Sequence, residues 1–291
     1  MNKANIIQST IYRVLQGVFV LGAVMLIAVS CNDVNFNGPE HGKGHMNVRL
    51  TDAPAEYEEV NVDVQGLRIH YTPFGDDTTD VDPERDGKWI DLPVDPMIIN
   101  LLDLTNGVDT LLSSADLEPG YYRELRLILG SENTVMVDGE LERLKVPSGQ
   151  QSGYKIKFKT ELEAGEELDV MIDFDAGRSV HKAGRSGKYI LKPVLKAFVE
   201  EGEEATVGSI SGTVEAEMDA SAWVYAVMGN DTTGTQIDAE GGFMLRGLEE
   251  GMYDVVVEPA GDEYSATTVT GVSVESGVET TVDPIELGDD D

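Results

Sequence analysis

The sequence predicts an all-β protein built as two β-sandwich-like domains in tandem. Three observations carry that expectation. Apolar residues recur at every second position in short runs, as at Val60, Val62 and Val64 or Leu168, Val170, Ile172 and Phe174. Gly, Pro, Asn and Asp divide those runs at hairpin-like intervals, and only residues 100–115 leave room for a helical turn or two. A period of two puts one strand face into a core and the other into water, and many short strands with frequent turns close into sandwiches or barrels.

The first strand pattern begins at Met46. After Val64 the apolar phase flips across Gly66 to Leu67, Ile69 and Tyr71, a one-residue slip of the kind a β-bulge makes. Residues 88–92 (KWIDL) follow an acidic loop, and Leu125, Leu127 and Leu129 alternate with Glu124, Arg126 and Ile128. Residues 134–137 and 140–146 flank Asp138-Gly139, a two-residue hairpin signal. Ile156 and Phe158 alternate with Lys155, Lys157 and Lys159. Residues 189–199 read as a last strand, with Pro193 marking an edge or a bulge.

Residues 200–206 open with EEGEEA, whose one apolar residue is Ala205, and read as an acidic linker. A second β unit spans 207–287, with strands expected at 208–214, 222–228, 242–245, 253–258, 267–274 and 279–285, and 288–291 forms an acidic tail. No internal repeat relates the two halves.

The chain has 291 residues and a formal charge of −33. A field of that sign repels nucleic acid and anionic headgroups, so no nucleic-acid partner is expected. The N-terminus stands apart. Lys3 and Arg13 form a short positive region, 14–29 is almost wholly apolar, and the run ends in Ala28-Val29-Ser30-Cys31. That is the layout of an export signal, here residues 1–30. Removing it takes away two basic residues and no acid. Two other readings stand beside it: an uncleaved anchor, for which the run falls short of the ~20 residues of a span, and a secretory signal with a chance cysteine. Residues 31–45 (from Cys31 through NDVNFNGPEHGKGH) lack apolar periodicity and read as a tether.

Three resemblances follow from these residues. Cys31 directly after the small residues resembles the lipobox of bacterial lipoproteins, which implies cleavage before a lipid-modified cysteine and a place in the cell envelope, in the outer membrane of a Gram-negative bacterium. With Cys31 so used, no thiol remains for a disulfide, metal site or cysteine catalysis. The segments VRLTDAP (48–54), VNVDV (60–64), LLDLTNG (101–107), GYY (120–122), LRLILG (125–130), FDAGRSV (174–180) and ILKPV (190–194) resemble the lipoprotein domain of unknown function 4382, over 46–199. GSISGTV (208–214), DAEGGFML (238–245) and LEEGMYDV (248–255) resemble the carboxypeptidase regulatory-like domain, a transthyretin-related sandwich often called carbohydrate-binding-like. That resemblance implies an accessory module with no catalytic residues.

Candidate sites are few. Residues 76–87 (DDTTDVDPERDG) form the densest acidic loop, and Asp82, Glu84 and Asp86 are its candidate Ca²⁺ ligands. The EF-hand pattern fails there: counted from Asp82, Pro83 takes the second place and Pro93 the twelfth, where a Glu is needed. A solvated hairpin tip with weak, non-stoichiometric Ca²⁺ binding is expected. Asp173, Asp175 and His181 form a second cluster, but Arg178 makes a carboxylate–arginine pair at a strand end the better reading. Asp52, in the 48–54 turn, is expected to bond backbone amides. Of the aromatic pairs, Tyr71 with Phe74, Tyr121 with Tyr122 and Trp223 with Tyr225 are read as one member inward and one outward. No G-x-S-x-G elbow or H-E-x-x-H helix is present, and neither catalysis nor a cofactor is expected.

The expected function is that of a lipid-anchored envelope protein acting as a non-enzymatic binding or structural module, with a glycan or another envelope protein as partner. The alternative is an accessory glycan-binding lipoprotein for polysaccharide capture or adhesion, and the third reading an unrecognised hydrolase. The N-terminal assignment makes one direct prediction. Cys31→Ser should abolish metabolic labelling with a radiolabelled fatty acid and leave uncleaved precursor; normal processing of that variant would refute the lipid anchor.

Overall fold

The computed structural model describes residues 42–74, 87–147, 152–184, 187–200, 205–215, 221–261 and 264–289. The loop carrying Asp82, Glu84 and Asp86, and Cys31 with the preceding run, lie outside the described residues.

In chain order the first half contributes β1 (Gly44–Ala53), β2 (Glu59–Pro73), β3 (Lys88–Leu92), β4 (Met97–Asn100), β5 (Thr110–Leu117), β6 (Gly120–Leu129) and β7 (Thr134–Val137). It continues with β8 (Glu140–Lys145), β9 (Tyr154–Leu162), β10 (Glu167–Asp175), a single helical turn α1 (Ala176–Ser179), β11 (Val180–Ala183), β12 (Lys188–Leu191) and β13 (Leu195–Val199). The second half supplies β14 (Gly208–Glu215), β15 (Ala222–Met228), β16 (Asp231–Gln236), β17 (Gly242–Leu248) and β18 (Gly251–Pro259). Then come β19 (Tyr264–Ser265), β20 (Thr267–Val274), β21 (Glu279–Thr281), β22 (Ile285–Glu286) and β23 (Gly288–Asp289).

The chain is all-β, as its alternation predicts. Two sheets share one core in the first half: β13-β10-β1-β5, and a nine-stranded sheet following β11-β12-β8-β7-β2-β6-β9, with β3 and β4 also on β2. Between them Met46, Val48 and Leu50 of β1, with Ile172 and Phe174 of the neighbouring β10, face Val60, Leu67, Ile69, Leu125 and Leu127 of the large sheet, each essentially shielded from water. The first strand lies inside its sheet, parallel to β10 (Val48 opposite Val170) and antiparallel to β5. The phase slip at Gly66 is a register shift between Val64 and Gly66 against β6. Asp138 and Gly139 take φ of 52° and 75°, the left-handed pair that a tight hairpin between β7 and β8 requires.

Four expectations need correction. The 100–115 window holds one helical turn, Leu101–Leu104 under an Asn100 cap, before a loop and β5, but it is not the only place for one: Ala176–Ser179 also turns helically. The expected strand 189–199 divides at Pro193, which has no amide hydrogen to offer a ladder: β12 joins the nine-stranded sheet and β13 the four-stranded one. His45 is no part of a free tether; it lies in β1, its ring bonded to Asp116 at 2.7 Å and Ser114 at 2.9 Å. The start of the expected tail pairs instead, as β23 with β19.

The second half has its own core, drawn from Ile210, Val224, Phe243, Leu245, Tyr253, Val255 and Val257 among others. The strand β14 lies between antiparallel β17 and the parallel strands β21 and β22, which Pro284 separates. The facing sheet runs β16-β15-β18-β20.

The loop after the helical turn clasps the second half. Asn106, at φ 55°, bonds the β17 backbone along one edge: its amide donates to the Gly242 carbonyl at 3.1 Å and its oxygen accepts from Met244 N at 2.7 Å. Gly107, at φ 78°, has no room for a Cβ beside the Met244 sulfur. Asp109 then receives Arg49 of β1 through one oxygen and Arg246 of β17 through the other, the latter at 3.0 Å. Met171, Phe198 and Val207 form a small apolar cluster alongside. Asp109→Ala would leave two guanidiniums facing one another with a lost charged hydrogen bond on each. The expected cost is about 1.5–3 kcal/mol, read in urea unfolding, with faster proteolysis across 200–206. An unchanged midpoint and cleavage rate would refute this role.

Candidate functional site: a cleft between the two sandwiches

The outward face of β10 carries Asp173 and Asp175, and β13 sets Lys196 opposite Asp173. Across from them stand the outward residues of β15 and β16. Together Ala53, Pro54, Asp173, Asp175, Arg178 and Lys196 form one wall, and Trp223, Tyr225, Thr232, Thr233 and Gly234 the other, around a space of about 160 Å³.

The aromatic wall follows from local spacing. Ala222, Val224 and Ala226 fill the core, so Trp223 and Tyr225, two residues apart, both point outward. This corrects the expectation that the pair divides between core and solvent, which holds for Tyr122 (buried) and Tyr121. The two rings lie parallel, 6° between planes and 6.2 Å between centroids. Gly234 sits opposite Tyr225 in register, and a Cβ there would stand 2.8 Å from the ring. The glycine is what lets the tyrosine lie flat across β16.

The polar wall is anchored by Asp52, at the end of β1. Its Oδ1 accepts from Ala176 N at 2.8 Å, the expected amide contact, while its buried Oδ2 has no hydrogen-bond partner among the described residues. Burial, with Asp173 and Asp175 nearby, pushes the Asp52 carboxyl well above the usual carboxylate range. Asp173 is pushed up to about 6, first by burial and then by Asp175, against the pull of Lys196 and Arg178. Asp175 caps α1, accepting from Arg178 N at 2.8 Å, with the guanidinium 3.7 Å away, which is the expected strand-end pair. His181 is not part of this group: it is exposed on β11, in the other sheet. Among the described residues no three His, Cys, Asp or Glu side chains converge as a metal site.

Sequence reasoning missed Lys196, Thr232 and Thr233 as wall residues. Lys196 enters through the β10–β13 register, and Thr232 and Thr233 through a strand whose composition (DTTGTQ) has no apolar alternation.

These raised carboxyls fix a pH dependence. Protons are held more tightly in the folded protein than in the unfolded chain. The stability they contribute is therefore full below the ordinary carboxyl value of 3.8 and lost as pH rises, through about 6 for Asp173. Asp52→Asn keeps an acceptor for Ala176 N and removes the costly charge. Melting temperatures from pH 4.5 to 7.5 should fall less steeply for that variant, which should exceed the parent at pH 7.5. Parallel curves would refute the assignment.

Comparison with known proteins gives the following. No curated protein matches the chain. Among solved structures, the chain is similar to the Bacillus anthracis TIE protein (12% identity, 84% of this chain and 34% of that one, TM-score 0.21). It is also similar to GBS52, the minor pilin of Streptococcus agalactiae (10%, 84% and 97%, TM-score 0.22), and to the shaft pilin SpaA of Lactobacillus rhamnosus GG in its D295N form (9%, 86% and 100%, TM-score 0.26). The chain thus spans about a third of the first of these, and TM-scores at this level mean that the whole chains do not superpose. Among the described residues no helix is long and apolar enough to cross a membrane. The profile of the family described as Domain of unknown function (DUF4382) matches residues 43–193, the region that forms the first sandwich and one wall of the cleft. That match covers more than half of the sequence, and the chain belongs to the DUF4382 family.

Proposed function

We propose that the protein is a non-enzymatic carbohydrate-binding module of the cell envelope, held by lipid on Cys31 in the outer membrane of a Gram-negative bacterium. The second sandwich acts as its carboxypeptidase regulatory-like accessory unit. The observation that carries this reading is the parallel Trp223–Tyr225 pair, set outward on a rigid strand beside a wall of carboxylates, Arg178 and Lys196. Aromatic faces stack on the apolar face of a sugar ring, while carboxylate and guanidinium groups bond the hydroxyls at its rim. The clasp sets these walls opposite one another before any ligand arrives, which reduces the ordering cost of binding.

The chemistry of the walls supports holding rather than cleaving. Glycoside hydrolysis uses two carboxyl groups that flank the scissile bond. Asp173 and Asp175 stand side by side on one strand, and the facing wall offers aromatic rings and threonines.

A glycan array probed with the protein and with Trp223→Ala tests the reading. The protein should retain a defined set of neutral glycans, and the variant should bind them about tenfold more weakly, the equivalent of ~1.4 kcal/mol. An array with no retained neutral glycan, or retention that Trp223→Ala leaves unchanged, would refute it.

A further inference from the structure

The chain's charge is unevenly placed. On the outer face of the nine-stranded sheet, pairing brings together cations that are far apart in sequence. Arg68 of β2 lies opposite Arg126 of β6, which lies opposite Lys155 of β9; the next row runs His70, Glu124, Lys157. Arg123 and Lys159 complete the face, so six of the 21 lysines and arginines of a chain of charge −33 gather here. All of them but Arg68 line a shallow depression of about 760 Å³.

The acids beside the depression are already engaged. Glu124 forms ion pairs with Arg126 at 3.3 Å and Lys155 at 3.5 Å, and Asp91 forms one with Arg68 at 2.7 Å. Lys157 and Lys159 make no ion pair among the described residues. Arg123 lies over the Tyr121 ring at 5.4 Å, and its buried Nε has no acceptor among the described residues. Trp89 holds Arg126 at 3.9 Å over its ring, which fixes one guanidinium plane in the depression.

Protection of a sheet edge accounts for only part of this. The strand β9 is an edge, and lysines there discourage strand-to-strand association. Arg68 and Arg126 sit on interior strands, where no edge needs guarding. We infer that this face is a binding surface for a linear acidic polysaccharide, one bearing carboxylate or sulfate groups along an extended chain.

Charge complementarity selects the class, and shape selects within it. Strands about 4.8 Å apart and alternate residues about 6.8 Å apart make a two-dimensional grid of cations that repeated charges on a thin chain can follow. Guanidiniums with one face stacked offer fork-like donors to carboxylate or sulfate. The depression is lined by charged groups, with Phe158 and Trp89 its apolar members, so it lacks the apolar centre of a protein–protein interface. A broad anionic surface such as a membrane would also confront the acidic remainder of the molecule. A single strand meets only the cationic face.

Affinity electrophoresis of the protein through gels containing polygalacturonate tests the inference, with pullulan as the neutral polymer. Polygalacturonate should retard the protein at low ionic strength and release it in 0.5 M salt, and pullulan should do neither. Lys157→Glu with Lys159→Glu, both at exposed positions, should weaken retardation at least tenfold with an unchanged far-ultraviolet spectrum, and the paired Lys→Arg variant should keep it. Absence of retardation, or retardation that survives charge reversal, would overturn the proposal. Equal or tighter binding of poly-L-glutamate would assign the face to an acidic protein segment, and tighter binding of phosphatidylglycerol vesicles to a membrane; either would also overturn it.

Discussion

One carboxylate, Asp109, sets the geometry on which both walls of the cleft depend. It leaves the first sandwich from the loop before β5 and holds Arg49 of its own half and Arg246 of the other. Its side chain is 14% exposed, so the pairing takes place where water screens weakly. Arg246 also approaches Glu200 at 3.7 Å, just before the acidic stretch that joins the halves. Nearby, Asn106 bonds β17 along one edge as another strand would. Polar groups fix the angle between two bodies whose apolar cores are separate, and the small cluster of Met171, Phe198 and Val207 adds only modest area to that fixing.

The same molecule keeps its charges apart. Acidic residues dominate by composition, yet the outer face of the large sheet is cationic, because register stacks Arg68, Arg126 and Lys155 in one row. Total charge governs long-range encounters, and at physiological salt that influence fades over about 8 Å. Inside that distance the local face decides what is held. The expectation that a strongly acidic chain repels nucleic acid and anionic headgroups is therefore one about averages, and a sheet with organised rows departs from the average.

Much of the fold was legible because alternation is a local property. Val60, Val62 and Val64, the slip at Gly66 and the Asp138-Gly139 turn can each be read from a few neighbouring residues, and the structure has them as read. What escaped depends on distant partners. The strand β16 holds no apolar side chain and pairs with β15 along its length; the break at Pro193 sends one apparent strand into two sheets. The cleft was half legible: Asp52, Asp173, Asp175 and Arg178 stood out, whereas Trp223 and Tyr225, expected to divide between core and solvent, share one face because they are two residues apart on a strand. Lys196 and the threonines reached the site through register, which no sequence spacing displays. The cationic face is the same case, since only the lysines of β9 announce themselves in order.

The placement of the first strand has a mechanical consequence. Residue 43 leads directly into β1, which is bonded along both of its sides, to β10 in parallel and to β5 in the opposite sense. A load entering from the N-terminal direction therefore acts along the strand axis. It shears two ladders at once instead of peeling one bond after another, and Met46, Val48 and Leu50 must leave the core in the same step. The chain therefore enters its fold on a strand that cannot be drawn out without disrupting both neighbouring strands and the core together.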